Sequence, residues 1–340
     1  MAYTNIDDPS AYFQTKTYTG NSGTLAVTND GNSDLQPDLL WIKNRTVGYS
    51  HALYDSSRGT GKVLRPNGTN AEGTVTNGVT AFGTNGFTVG SAADVNEDNL
   101  VAWQWKANGG TTSSNTDGSI TSTVQADTDA GFSIVTYTGT GSAGTIGHGL
   151  GVKPDIIIFK RKNGTNNWDF QFKGEARLTL NLTDAQATNV LCTFTSTTTD
   201  LGSVATGEKN ANGGTYVAYC FAEKQGYSKF GSYVGNGNAN GAFVYTGFKP
   251  AFIMCKRTDG GGNSWDMHDS ARDPFNPSGR TFYANTDGAE LTGNNVDLLS
   301  NGFKQRDTSA NRNGSGNTYI YMAFAESPFT TSTGIPTTAR

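Results

Sequence analysis

Two tryptophan–aspartate pairs, Trp168-Asp169 and Trp265-Asp266, have the residue types a sugar site needs. An exposed indole face stacks on a pyranose ring, and a neighbouring carboxylate takes its hydroxyls. Burial of both tryptophans in a core is the plainer reading of the same residues. A second recurring group is Asp55-Ser56-Ser57-Arg58, matched by Asp269-Ser270-Ala271-Arg272. Asp and Arg three residues apart close a loop through a charge-assisted hydrogen bond, so these are read as structural clasps, with a polar ligand contact as the alternative. The corresponding place in between holds Phe172-Lys173-Gly174-Glu175.

Other chemistry finds less support. Gly139-Thr140-Gly141-Ser142-Ala143-Gly144 has dinucleotide-loop spacing, but Thr145-Ile146-Gly147-His148-Gly149 follows where a helix is needed. Gly59-Thr60-Gly61-Lys62 has Ser56 in place of the first phosphate-loop glycine. Asp30, Asn32 and Asp34 have the first three spacings of a calcium loop, yet Leu35 replaces the glycine and Trp41 the bidentate Glu. His51, His148 and His268 lack a second ligand at helical spacing, and no Ser/His/Asp set assembles by spacing. A glycosidase carboxylate pair needs only closeness in space, about 5 to 9 Å, and has no signature to find. The residues nominate no cofactor, no metal and no catalytic set, and leave the glycosidase pair open.

The elements that must position these residues are strands. Gly, Thr and Asn number 44, 47 and 32, only 16% of residues are charged, and 18 Phe, 14 Tyr and 5 Trp supply a core. That balance is too aromatic for a disordered chain and too rich in turn and strand residues for a helical one. A net charge of -4 without a basic run argues against nucleic acid, and no apolar stretch approaches the ~20 residues that span a bilayer. The N-terminus reads without a signal peptide, which predicts a product made in the cytoplasm. Cys192, Cys220 and Cys255 read as small core hydrophobes.

One pattern occurs three times. An aromatic opening strand (Phe13 to Gly20, Phe132 to Gly139, Phe230 to Gly235) is followed by a proline and an apolar run (from Pro37, Pro154 and Pro250). A closing strand ends each copy, with large residues at Trp103 and Trp105, Tyr219 and Phe221, Met322 and Phe324. The interval from opening Tyr to Pro is 19, 17 and 17 residues, and from Pro to the last aromatic 68, 67 and 74. The fold expected is therefore all-β: three tandem β-sandwich modules of jelly-roll or Greek-key order. They span residues 1–107, 131–224 and 225–327, with a Gly/Ser/Thr-rich linker at 108–130 about which the first module hinges, and a tail at 328–340. Trp41, Phe159 and Cys255 should lie in equivalent central strands, and the six closing-strand residues should be buried.

Three strings resemble the modules of virion structural proteins of marine and cyanobacterial tailed phages. They are Gly247-Phe248-Lys249-Pro250-Ala251-Phe252-Ile253-Met254-Cys255-Lys256-Arg257, Leu299-Ser300-Asn301-Gly302-Phe303-Lys304, and Thr318-Tyr319-Ile320-Tyr321-Met322-Ala323-Phe324-Ala325-Glu326. The start Ile6-Asp7-Asp8-Pro9-Ser10-Ala11-Tyr12-Phe13-Gln14-Thr15 is similar to theirs as well. The resemblance implies a non-enzymatic tail-fibre, head-fibre or capsid-decoration component of the phage particle, partnered by other virion proteins and forming a homo-oligomer, with a trimer as first guess. Host surface glycans are the ligand it suggests, and a glycan depolymerase or carbohydrate-binding module is the alternative. The first dozen residues and residues 328–340 would be docking arms ordered by neighbouring chains.

Overall fold

The computed structural model describes residues 3–189, 191–202 and 207–337, and 44% of the chain is strand against 2% helix. Among the described residues the helical pieces are the single turns Pro9–Ala11 and Ala93–Asn96. One antiparallel order of four strands (opening, closing, central, fourth) recurs three times. In the first unit these are Phe13–Thr19, Asn99–Trp105, Leu39–Asn44 and Ala52–Asp55. In the second they are Phe132–Thr138, Thr215–Phe221, Ile156–Arg161 and Asp169–Phe172. In the third they are Ser228–Val234, Thr318–Pro328, Phe248–Arg257 and Asp266–Asp269.

A smaller outer pair faces each unit: Leu25–Thr28 with Gly86–Val89, Thr145–Gly147 with Thr198–Asp200, and Phe243–Tyr245 with Gly302–Gln305. In the third unit the outer strands are continuous with the inner ones, giving a nearly closed sheet of eight strands in place of two separate layers.

Both faces of each central strand are covered, which explains their unbroken apolar runs. One face of all three joins a single core, with Trp41, Trp103, Trp105, Ile158, Tyr219, Phe221, Met254, Met322 and Phe324. The other face fills a core private to each unit. The register aligns Trp41, Ile158 and Met254 opposite Trp103, Tyr219 and Met322. Trp41, Phe159 and Cys255 thus sit in equivalent strands but one residue out of phase: Trp41 points into the shared core, Phe159 and Cys255 into private ones. A one-residue offset swaps faces in a strand. The six closing-strand residues are all buried, and Cys192, Cys220 and Cys255 are free, buried thiols. Burial pushes each thiol up to about 12.

Two expectations about the connections are corrected. The stretch expected as a hinged linker contains the strands Ser113–Asn115 and Ser122–Asp127, which extend the second unit's sheet. Its start is pinned, because the Asp38 carboxylate accepts from the Ala107 and Gly109 N–H groups at 2.7 and 2.9 Å, and Gln125 accepts from Gly110 at 2.8 Å. Nor are the described parts of the tails left for neighbouring chains. Tyr3 donates to the Gly247 carbonyl at 2.6 Å, the Phe329 N–H bonds the same carbonyl, and the Ser332 N–H and hydroxyl bond Asp7. Residues 1, 2 and 338–340 of those arms lie outside the described residues.

Candidate functional sites: three joints and an open cleft

Side chains with chemical potential gather where one unit meets the next, and they do so in a cyclic order. Lys43, Lys160 and Lys256 occupy equivalent places near the end of the central strand. Each Nζ donates once within its own unit, to Asn44, Asn166 or Asn263, and once across a joint, to the carbonyl of Asp287, Thr69 or Thr183. Just before each fourth strand stands a ring that donates across the same joint. His51 Nε2 lies 3.2 Å from the Tyr283 carbonyl, Trp168 Nε1 2.9 Å from that of Arg65, and Trp265 Nε1 3.1 Å from that of Thr179. The Trp41 indole donates to His51 Nδ1 at 2.8 Å, so the imidazole proton sits on Nε2 and His51 acts as a third ring N–H donor. A backbone bond completes each set: Glu290 to Arg45, Glu72 to Lys162, and Gln186 to Thr258. The first unit thus grips the third, the second grips the first, and the third grips the second.

Where the three units converge, the last aromatics of the closing strands pack on one another. Trp105, Phe221 and Phe324 have ring centroids 6.3, 5.5 and 5.9 Å apart. Polar pairs flank them at two joints. Tyr219 donates to Asp55 at 2.7 Å and Trp103 to Asp269 at 3.0 Å. At the third joint the corresponding residues are Met322 and Phe172, so donor and acceptor are both replaced by apolar residues of the shared core. That matching keeps a buried polar group from being orphaned.

Asp55 and Asp269 also form the expected clasps. Arg58 Nε reaches Asp55 at 2.5 Å and Arg272 Nε reaches Asp269 at 2.6 Å, with both ion pairs buried. Each arginine donates onward to a carbonyl of its own fourth strand, Leu53 or Met267.

The tryptophan–aspartate pairs do not form a sugar platform. Trp168 and Trp265 are fully buried with their rings turned into the joints. Asp169 is bonded by Gln171 and Arg177, and Asp266 by Arg312 at 2.6 Å. Burial pushes Asp266 up to about 6 against the pull of Arg312. The sequence held a signal for the joint lysines, since each ends its apolar run. The equivalence of His51 with two tryptophans was hidden by residue type, because only the ring N–H is shared.

A polar cleft also lies open beside the N-terminal segment. Tyr3, Asn5, Tyr12, Asp129, Lys224 and Gln225 line a space of about 420 Å³ between the N-terminal segment and the link from second to third unit. Among the described residues no group of three His, Cys, Asp or Glu side chains could hold a metal, and no helix is long and apolar enough to cross a membrane.

With this geometry in view, residues 8–328 match the family described as Domain of unknown function (DUF7483). The chain belongs to that family. No curated protein and no solved structure matches it. The DUF7483 match runs through all three units and both connections, which agrees with joints that bind the units into one body.

Proposed function

We propose that the chain is a non-enzymatic structural component of a tailed-phage particle, a tail-fibre, head-fibre or capsid-decoration protein made of three tandem β-sandwich modules. The pointer to phage is the resemblance of the strings around Pro250, Gly302 and Tyr321. The observation that supports a structural role is the threefold set of joints. Lysines, ring N–H groups, aspartates and arginines that elsewhere do chemistry are here bonded into the ring of modules. Such closure suits a particle protein that must stay folded without turnover, where slow unfolding is the property that counts.

Its partners on this reading are other virion proteins, with no nucleic acid and no membrane insertion. Mass spectrometry and antibody labelling of purified particles whose genome encodes the chain test it. The expected result is a fixed copy number at a symmetric position. Absence from particles, or release of reducing ends from host glycans by the pure protein, overturns it.

The cleft favours a second reading, glycan binding, because Tyr12 and Asp129 together offer an aromatic face and an acceptor. Calorimetric titration with host-surface oligosaccharides decides it, with Tyr12→Ala and Asp129→Asn expected to abolish the heat.

A further inference from the structure

The outer pairs differ in what lies beyond their free margin. In the second unit, the strand Thr145–Gly147 is covered by the chain's own preceding segment. Ile120 bridges Ile146 in parallel, its N–H donates to the Thr145 carbonyl at 2.9 Å, and the Ser122 hydroxyl donates to the Gly147 carbonyl at 2.8 Å. The approach is close: a Cβ on Gly118 would lie 2.4 Å from the Thr145 carbonyl oxygen. Among the described residues the third unit has no comparable strand-like segment: only residues 222–227 link its opening strand to the second unit, and the N-terminal segment touches the outer strand through the Tyr3 hydroxyl, 3.5 Å from that of Tyr245.

Its outer strand Phe243–Tyr245 is bonded on one side. Val244 pairs with Phe303, the Thr246 N–H bonds Asn301, and the Gln305 N–H bonds Ala242. Alternation therefore turns the N–H and C=O groups of Phe243 and Tyr245 toward the open margin. Their side chains are 47% and 54% exposed, and Val234, at the end of the sheet's other edge strand, is 58% exposed. Edge strands are normally blunted by Lys, Pro or a bulge. Ala242-Phe243-Val244-Tyr245-Thr246 has no charge and no Pro, and its pairing shows no bulge. The first unit's outer strand exposes only Ala26 and Thr28.

We propose that Phe243–Tyr245 is a docking edge for an extended, uncharged strand of a partner protein, of the Gly/Ser/Thr/Ile type that residues 118–122 supply to Thr145–Gly147. Strand addition of this kind takes affinity from main-chain hydrogen bonds and selectivity from alternate side chains, here flanked by the Phe243 and Tyr245 rings.

The probe is a fluorescent peptide of residues 118–125, Gly-Ser-Ile-Thr-Ser-Thr-Val-Gln, titrated with the full chain. Saturable binding is expected, together with slowed amide exchange at Phe243 and Tyr245. Tyr245→Pro deletes an outward N–H but spares the bonds of Val244 and Thr246, and should weaken binding at least tenfold. Phe243→Lys places a charge on the edge and should do the same with an unchanged melting temperature. The proposal is overturned if the peptide does not bind, or if it binds both folded variants as tightly as the parent. It is also overturned if sedimentation shows a dimer that Phe243→Lys dissociates, since the occupant is then a second copy.

Discussion

His51 carries the joint between the first and third units in its neutral form. Burial holds it down at about 3, the Nδ1 lone pair accepts from Trp41, and Nε2–H points at Tyr283. His268, also fully buried, is pushed well below its usual value by burial and by Arg312, and His148 is lowered by burial. Below about pH 6.5 the unfolded chain binds protons at these sites that the folded chain refuses, so stability falls with falling pH. Each fully buried histidine contributes a slope of about 1.4 kcal/mol per pH unit. Guanidinium midpoints measured at pH 7 and pH 5 should drop accordingly, and a flat profile would show these imidazoles are wet. Trp105→Ala and Phe221→Ala each empty one corner of the central aromatic triangle and should cost about 3 to 5 kcal/mol. Tyr219→Phe removes one donor from Asp55, which keeps Arg58, and should cost about 1 to 2 kcal/mol in the same denaturation assay.

Strands and their joints respond to pH from the other side. Burial lowers Lys43, Lys160 and Lys256 to about 8 each, while the unfolded chain keeps its lysines protonated to about 10.5. Between those values the unfolded state holds more protons, so stability rises with pH. Above about pH 9 that rise is cancelled by the buried thiols of Cys192, Cys220 and Cys255, which stay protonated to about 12 while the unfolded chain ionises. Above about pH 10 the order reverses, because buried Tyr18, Tyr137, Tyr219, Tyr227 and Tyr233 are raised well above 10 and do the same. A stability maximum near pH 9, lost in the triple variant Lys43→Met, Lys160→Met, Lys256→Met, is the expected outcome of melting curves across this range.

These lysines also mark how far a single sequence reaches at this scale. Alternation and spacing made the opening, central and closing strands legible, and the recurrence of Pro37, Pro154 and Pro250 made the threefold repeat legible. The phase of Trp41 against Phe159 was not, because a run apolar at every position carries no alternation to set it. The string Asn85-Gly86-Phe87 of the first unit recurs as Asn301-Gly302-Phe303 in the third and is missing from the second, for a reason only pairing reveals. Gly86 faces Thr28 and Gly302 faces Tyr245, but in the second unit the glycine of that pair is Gly147, on the opposite strand from Thr198.

At the scale of the whole molecule the joints form a closed cycle, although only two of the three are bridged by continuous chain. The joint of third to first unit carries the same lysine, ring and backbone bonds as the others, plus a bidentate pair of Arg45 with Glu290 at 2.9 and 3.0 Å. No unit can leave without breaking two joints and exposing its share of the common core. The threefold arrangement expected of an oligomer is thus already present inside one chain. Unfolding should therefore be a single cooperative transition, with coincident fluorescence and circular dichroism curves and a denaturant slope scaled to the full chain. Residues 1–107 alone would expose Trp41, Trp103 and Trp105, leave Lys43 and His51 without their partners in the third unit, and should show no dispersed amide spectrum. A folded 1–107 fragment, or two separated transitions in the intact chain, would mean that the units are independent beads and that the joints are surface contacts.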